Sequence, residues 1–194
     1  MSQSEPECSD IFDINVAGIE DAVSKILRYI GEDTERDGLA DTPRRVAQLY
    51  TEIFSGLREN PADFLSTLFE GDYYDPVLVS DIPFYSICEH HLLPFTGLAQ
   101  VAYHPSGRVI GASKVPRIID SISRRPQIQE RLTSEIADII HSGLNSQSTV
   151  VYMSAEHMCM AMRGVEKKGS KIVTFAQRGN KDLGLGLKDL MLLE

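Results

Sequence analysis

The chain has 194 residues, 42% of them hydrophobic and 24% charged, which is enough apolar mass for one globular domain with its own core. A formal net charge of −9 argues against a general nucleic-acid binder, and no apolar run approaches the ~18 residues of a membrane-spanning helix. The charge is uneven: residues 1–75 hold 17 Asp/Glu against 6 Lys/Arg, and residues 76–194 hold 11 against 13, so an anion is expected to bind in the second part.

Residues 1–12 are polar and acidic, lack the basic and apolar regions of a signal peptide, and are expected to form a disordered tail. From Asn15 to Ile30, apolar residues at Ile19, Val23, Ile26, Leu27 and Ile30 have helical spacing. After the polar GEDTERDGLAD loop, Thr42 and Pro43 read as N-cap and first residue of a second helix ending near Gly56. Residues 13–75 are therefore expected to be a helical extension, packed on the surface or serving an oligomer.

From Val77 the pattern turns to strands. VLVSDIPF is short and β-rich, and TGLAQVAYHPSGRVIGAS reads as a hairpin turning at Pro105-Ser106-Gly107. Ser113 reads as the N-cap of a helix through KVPRIIDSIS. Pro126 is expected to open another, with Ile128, Leu132, Ile136, Ile139 and Ile140 as one apolar stripe closed by Gly143. TVVYMSAEHMCMAMRGV and KIVTFAQRG read as a second hairpin across EKKGS. The order is strand–strand–helix–helix–strand–strand, an α+β pattern with antiparallel pairing over residues 76–180. Residues 181–194 are apolar enough to need a partner surface, on this chain or another.

Three cysteines, Cys8, Cys88 and Cys159, do not make a disulfide framework, and suggest a reduced compartment and metal or catalytic use. In SICEHHLLPF, Cys88 and His91 are separated by two residues, a spacing that lets both side chains reach one ion. A second pair, His157 and Cys159, falls in a predicted strand, where alternation would line up His157, Cys159, Ala161 and Arg163. Met158, Met160 and Met162 would then lie opposite as core filler. Sulfur with imidazole favours zinc over magnesium or calcium. Spacing alone leaves two arrangements open: a closed structural site with four protein ligands, or a three-ligand site with an exchangeable position.

The helix start in GASKVPRIID offers unpaired N–H groups, with Lys114 and Arg117 adding two charges on one side, an arrangement suited to phosphate. Arg163 would bring a third cation towards the metal. In PQIQERLTSEI, the Glu130 carboxylate has the chemistry to accept two N–H bonds from a guanine edge, beside Gln129.

SICEHHLLPF, GASKVPRIID, SRRPQIQERLT and EHMCMAMRGV together resemble GTP cyclohydrolase I, in order and separation, from about Ile26 to about Lys168. The resemblance implies the tunnelling fold, a ββααββ unit with an antiparallel sheet and a helix pair on one face. It implies zinc held by Cys88, His91 and Cys159, with an exchangeable water. His90 is then free for proton transfer to the purine imidazole ring, and His157 is a second such group near the ribose. Glu130 and Gln129 match the guanine-holding residues. Ser113, Lys114, Arg117 and Arg163 match the triphosphate contacts, with Arg45 in TPRRVA a further one. The implied reaction is hydrolysis of GTP at C8 to 7,8-dihydroneopterin triphosphate and formate, in a cytoplasmic homo-oligomer, commonly a decamer, with active sites between subunits. Two features depart from the family pattern: Ile172 and Phe175 stand where hydroxyl residues are common, and the segment beyond Arg178 differs from the usual charged ending. Two other readings compete: a relative releasing a ring-opened or formylated pyrimidine, and a structural-zinc protein that binds nucleotides without turnover.

Overall fold

The computed structural model describes residues 13–191; the expected disordered tail at 1–12, with Cys8, lies outside the described residues. The chain forms two compact units, residues 1–58 and 59–194. In the first, α1 (Val16–Tyr29) is capped by Asn15, whose Oδ1 accepts from the Gly18 N–H at 2.9 Å. α2 (Thr42–Ile53) begins at Thr42 rather than after it, with Asp41 at the cap position and Pro43 in the first turn, where a missing N–H costs nothing. α1 has no buried residue; Ile26 and Ile30 of its apolar stripe are 57% and 72% exposed.

In the second unit, β1 (Leu68–Glu70) precedes the long β2 (Val77–Cys88) and β3 (Pro94–His104), which pair antiparallel through the short loop 89–93. A bulge between Val79 and Ile82 places Asp81 at φ 51° and shifts the register so that Phe84 and Ile82 both reach the core. β4 (Arg108–Ile110) leads into α3 (Lys114–Ser123). β5 (Pro126–Gln127), α4 (Gln129–Leu144), β6 (Ser148–His157), the helical turn α5 (Met158–Ala161), β7 (Lys171–Gly179) and α6 (Lys181–Met191) complete the chain. The main sheet has the order β5-β2-β3-β6-β7, and β5 alone runs parallel to its neighbour. With β2–β3, α3–α4 and β6–β7 in succession, the unit is α+β in the expected ββααββ order.

Three expectations differ from what forms. The hairpin turning at residues 105–107 does not pair its own arms: β3 has β2 on one edge and β6 on the other, so the short β4 pairs with β1 instead. The helix expected from Pro126 starts at Gln129, because Pro126 and Gln127 are held as a parallel strand against Ile87 and Cys88. Its end is set not by Gly143 but by Asn145, which takes the left-handed conformation at φ 50°. Finally, the strand expected through Arg163 stops at His157. Met158 is 36% and Met162 59% exposed, so these two are not core filler, and Met160 is half-buried.

The core lies between the sheet and the α3–α4 pair. Ile118, Ile119 and Ile122 of α3 and Leu132, Ile136 and Ile140 of α4 are fully buried against Phe84, Phe95, Val101, Val151 and Met153. Each such side chain contributes about 1.5–3 kcal/mol relative to leaving it in water. On the opposite face, Leu187 and Met191 of α6 cover Ala102 and Val150. Gly97 lets β3 and β6 approach: a Cβ there would sit 1.9 Å from the Ser154 carbonyl oxygen.

Candidate metal centre and active site

The site forms at the end of the sheet where β2 finishes, β3 begins and β6 finishes. Leaving β2, the chain turns sharply: the Leu92 N–H donates to the Cys88 carbonyl at 2.9 Å and the Cys88 N–H to the Leu93 carbonyl at 2.9 Å, with Leu92 at φ 52°. This turn carries Cys88 and His91 to the same side. Across β3, Phe95 pairs with His157, so the end of β6 lies beside the turn. Because α5 then coils back, Cys159 returns towards Cys88 rather than following the strand.

The ligand atoms of Cys88, His91 and Cys159 lie within 4.8 Å of one another, a convergence suited to one metal ion. The Cys88 Sγ is 4.0 Å from His91 Nδ1. Tetrahedral zinc with Zn–S of ~2.3 Å and Zn–N of ~2.0 Å places such atoms about 3.6 Å apart, so the donor set fits with a small inward adjustment. Burial, and then the neighbouring Cys88 sulfur, push the Cys159 thiol up, while Arg163 pulls it slightly down. A cation between the two sulfurs would relieve that opposition.

His157 stands outside this group. Its ring stacks on Phe95, centroids 4.4 Å apart and planes at 4°, and its Nε2 is 2.9 Å from Gln129 Oε1. Burial pushes its imidazole down, with Glu130 acting the other way. The four-ligand arrangement left open by the spacing is thus not assembled: the fourth candidate is engaged with an amide. His90, in contrast, is exposed, its Nδ1 3.8 Å from Cys88 Sγ and its Nε2 4.0 Å from Glu89 Oε1.

α4 abuts the site through its first turn. Gln129 is 1% exposed and Glu130 exposed. Arg131, one residue on, bonds the Glu89 carboxylate and donates to Gln127 Oε1 at 2.9 Å, while the Glu89 N–H donates to the Gln127 carbonyl at 3.0 Å. The metal loop is therefore tied to the start of α4. This tether was missed from the sequence, where Arg131 and Glu89 carry no motif signal; only their 42-residue separation closed by β5 brings them together.

The basic residues divide. Arg163 follows α5 and is close enough to act on Cys159. Ser113, Lys114 and Arg117 lie at the other end of α3. The last residue of α3, Ser123, accepts from Ser86 Oγ at 2.8 Å, near Cys88, whereas the Lys114 N–H donates to Gly111 beside β4. A ten-residue helix spans about 15 Å, so within one chain Ser113 and Lys114 are not brought to the metal group. The Ser113 side chain makes no capping bond. Arg45 sits on α2, 68% exposed at its side chain and 3.4 Å from Asp41. Of the two departures, Phe175 packs on Tyr152 on the far sheet face, and the Ile172 carbonyl oxygen accepts from Gln129 Nε2 at 3.0 Å.

The family model for GTP cyclohydrolase I matches residues 19–184. The chain is 55% identical over 168 residues to the GTP cyclohydrolase 1 of Geobacillus kaustophilus (strain HTA426), covering 86% of this chain and 89% of that one. It is 56% identical over 162 residues to the GTP cyclohydrolase 1 of Caldanaerobacter subterraneus subsp. tengcongensis, covering 83% and 86%. With the GTP cyclohydrolase 1 of Dehalococcoides mccartyi (strain CBDB1) it shares 51% over 164 residues, 84% and 87% of the two chains. The match spans both compact units and includes every residue of the Cys88, His91 and Cys159 group. The chain belongs to the GTP cyclohydrolase I family.

Proposed function

We propose that the protein hydrolyses GTP to 7,8-dihydroneopterin triphosphate and formate at a zinc centre held by Cys88, His91 and Cys159. The observation that carries this reading is the meeting of three soft ligands, with two further imidazoles beside them, in a chain of this family. Zinc, when bound, supplies Lewis-acid chemistry at neutral pH for attack of water on C8.

The chain's own residues do the rest. Glu130, exposed at the first turn of α4, accepts hydrogen bonds from the N–H groups on the guanine edge. His90 is the exposed imidazole nearest the metal ligands, and it gives a proton to the purine imidazole ring, making C8 electrophilic. His157 serves the ribose when the opened ring rearranges. Arg163 faces the triphosphate from the metal side. Overall, one water is consumed: C8 leaves as formate, and the ribose carbons close the six-membered ring.

Ser113, Lys114 and Arg117 bind triphosphate from a second copy of the chain. The support is their place at the far end of α3, which leaves the metal end of one chain short of the cations a triphosphate needs. Sites shared in this way imply a closed homo-oligomer, a decamer by resemblance, in the cytoplasm. The deciding experiment incubates zinc-loaded protein with GTP and measures formate and, after mild oxidation, pterin fluorescence. Formate with a fluorescent pterin is the expected result. Formate without pterin, or ring opening without formate, would replace the proposed product, and unconsumed GTP with zinc bound would overturn the reading.

A further inference from the structure

Gln129 is nearly sealed from solvent, yet all of its side-chain polar atoms have partners. Its Nε2 lies 3.1 Å from the Met153 carbonyl oxygen, 3.0 Å from the Ile172 carbonyl oxygen and 3.0 Å from Thr174 Oγ1. Backbone carbonyls only accept, so the amide nitrogen must face them, and the amide cannot be turned around. The hydroxyls agree. Thr133 Oγ1 donates its one hydrogen to the Gln129 carbonyl at 2.7 Å. The 2.6 Å contact between Thr133 and Thr174 must then be filled by the Thr174 hydrogen, which leaves a Thr174 lone pair for the Gln129 N–H. The amide has two hydrogens for these three acceptors, so one hydrogen is shared, but the amide orientation is the same in every arrangement.

That orientation turns Gln129 Oε1 towards His157 Nε2, 2.9 Å away. An amide oxygen only accepts, so His157 Nε2 carries a hydrogen. Stacking on Phe95 holds the ring plane. Among the described residues, Nδ1 has no hydrogen-bond partner. We infer that Gln129 is a positioning residue, fixing His157 as the Nε2–H tautomer so that Nδ1 is the one ring nitrogen open to substrate, as an acceptor for a sugar hydroxyl. Gln129 thus acts through His157, and Glu130 alone of the two takes the base. This inference deepens the reading of the site as a GTP cyclohydrolase centre and rests on it.

The test is a tautomer measurement that does not depend on turnover. Zinc-loaded protein with ¹⁵N-labelled histidine, which has five histidines in all, is recorded without substrate, and His157 is assigned by difference from His157→Ala. The expected result is a pyrrole-type Nε2 and a pyridine-type Nδ1. A hydrogen on Nδ1 in the unaltered protein would overturn the inference whatever any variant does. Gln129→Leu is expected to keep its metal but lose the single tautomer, with kcat lower by about tenfold to a hundredfold and KM changed less. A leucine variant with the original tautomer and kcat would also overturn the inference. If the unaltered protein holds the expected tautomer but does not consume GTP, the functional reading fails and the hydrogen-bond assignment stands.

Discussion

Cys159 carries two burdens at once: its sulfur belongs to a group that could hold a metal ion, and its thiol is disfavoured as a thiolate by burial and by Cys88. A shared cation would favour both thiolates, so on the proposed reading removing the sulfur should remove the ion rather than the fold. Cys159→Ser is expected to lose zinc and turnover while keeping its far-ultraviolet circular dichroism, since Cys159 touches the core only at its margin. Zinc retained at one per chain would remove Cys159 from the ligand set. His90 makes the opposite case. It is mostly exposed and 3.8 Å from Cys88 Sγ, beside the Cys88, His91 and Cys159 group without a place in it. His90→Ala is expected to keep zinc and to lose ring opening by about 10²-fold or more, as for a removed general acid. Loss of the metal in that variant would exchange the roles of His90 and His91.

The elements place these residues through contacts of very different range, which explains what could be read from the sequence. Cys88 and His91 meet through one turn, so their spacing was enough. His157 and Cys159 also meet the site, but not by strand alternation: the strand gives way to a helical turn at Met158, and no glycine or proline marks the switch. The Gln129 network was hidden because its acceptors are carbonyls at Met153 and Ile172, atoms that every residue has. β4 was misjudged because its partner, β1, lies some forty residues earlier. Gly97 offers a test at this scale. A methyl group there would collide with the Ser154 carbonyl, two registered pairs from Phe95 and His157. Gly97→Ala should cost about 1–3 kcal/mol in urea unfolding, as for an overpacked core, and lower turnover with it. An unchanged midpoint would mean that β3 and β6 are less closely apposed. At the other end of β7, Arg178 holds the Asp138 carboxyl of α4 below its usual range, their Nη2–Oδ2 distance being 2.9 Å. A depressed carboxylate contributes stability above its unfolded pKa of about 3.9, and loses it as pH falls through the lower folded value. The acid limb of unfolding should therefore flatten slightly in Asp138→Asn, an effect kept small by the exposure of the pair.

At the scale of the whole molecule, one chain leaves apolar surface uncovered, and the cations proposed to bind triphosphate lie away from the metal-ligand group. Ile26 and Ile30 of α1 face solvent, as do Leu98, Val173 and Phe175 on the part of the sheet face beyond the reach of α6, and Tyr85 on the same face is 73% exposed. The metal group completes itself within the chain, but Ser113 and Lys114 lie about a helix length away from the end that needs them. The ring proposed above would resolve both, burying the apolar faces and bringing α3 of one chain to the metal loop of the next. Light scattering should then give a mass many times the 21.6 kDa of the chain. Mass alone does not show a shared site, and a hybrid does. Cys88→Ser destroys the metal end, and Lys114→Ala the phosphate end. Each uniform assembly should be nearly inactive. Co-expressed with different affinity tags and purified through both, the two variants should recover part of the unaltered turnover, because some sites then join an intact metal end to an intact α3. If each chain built its whole site alone, every site in the hybrid would carry one lesion and turnover would remain at the level of the parents.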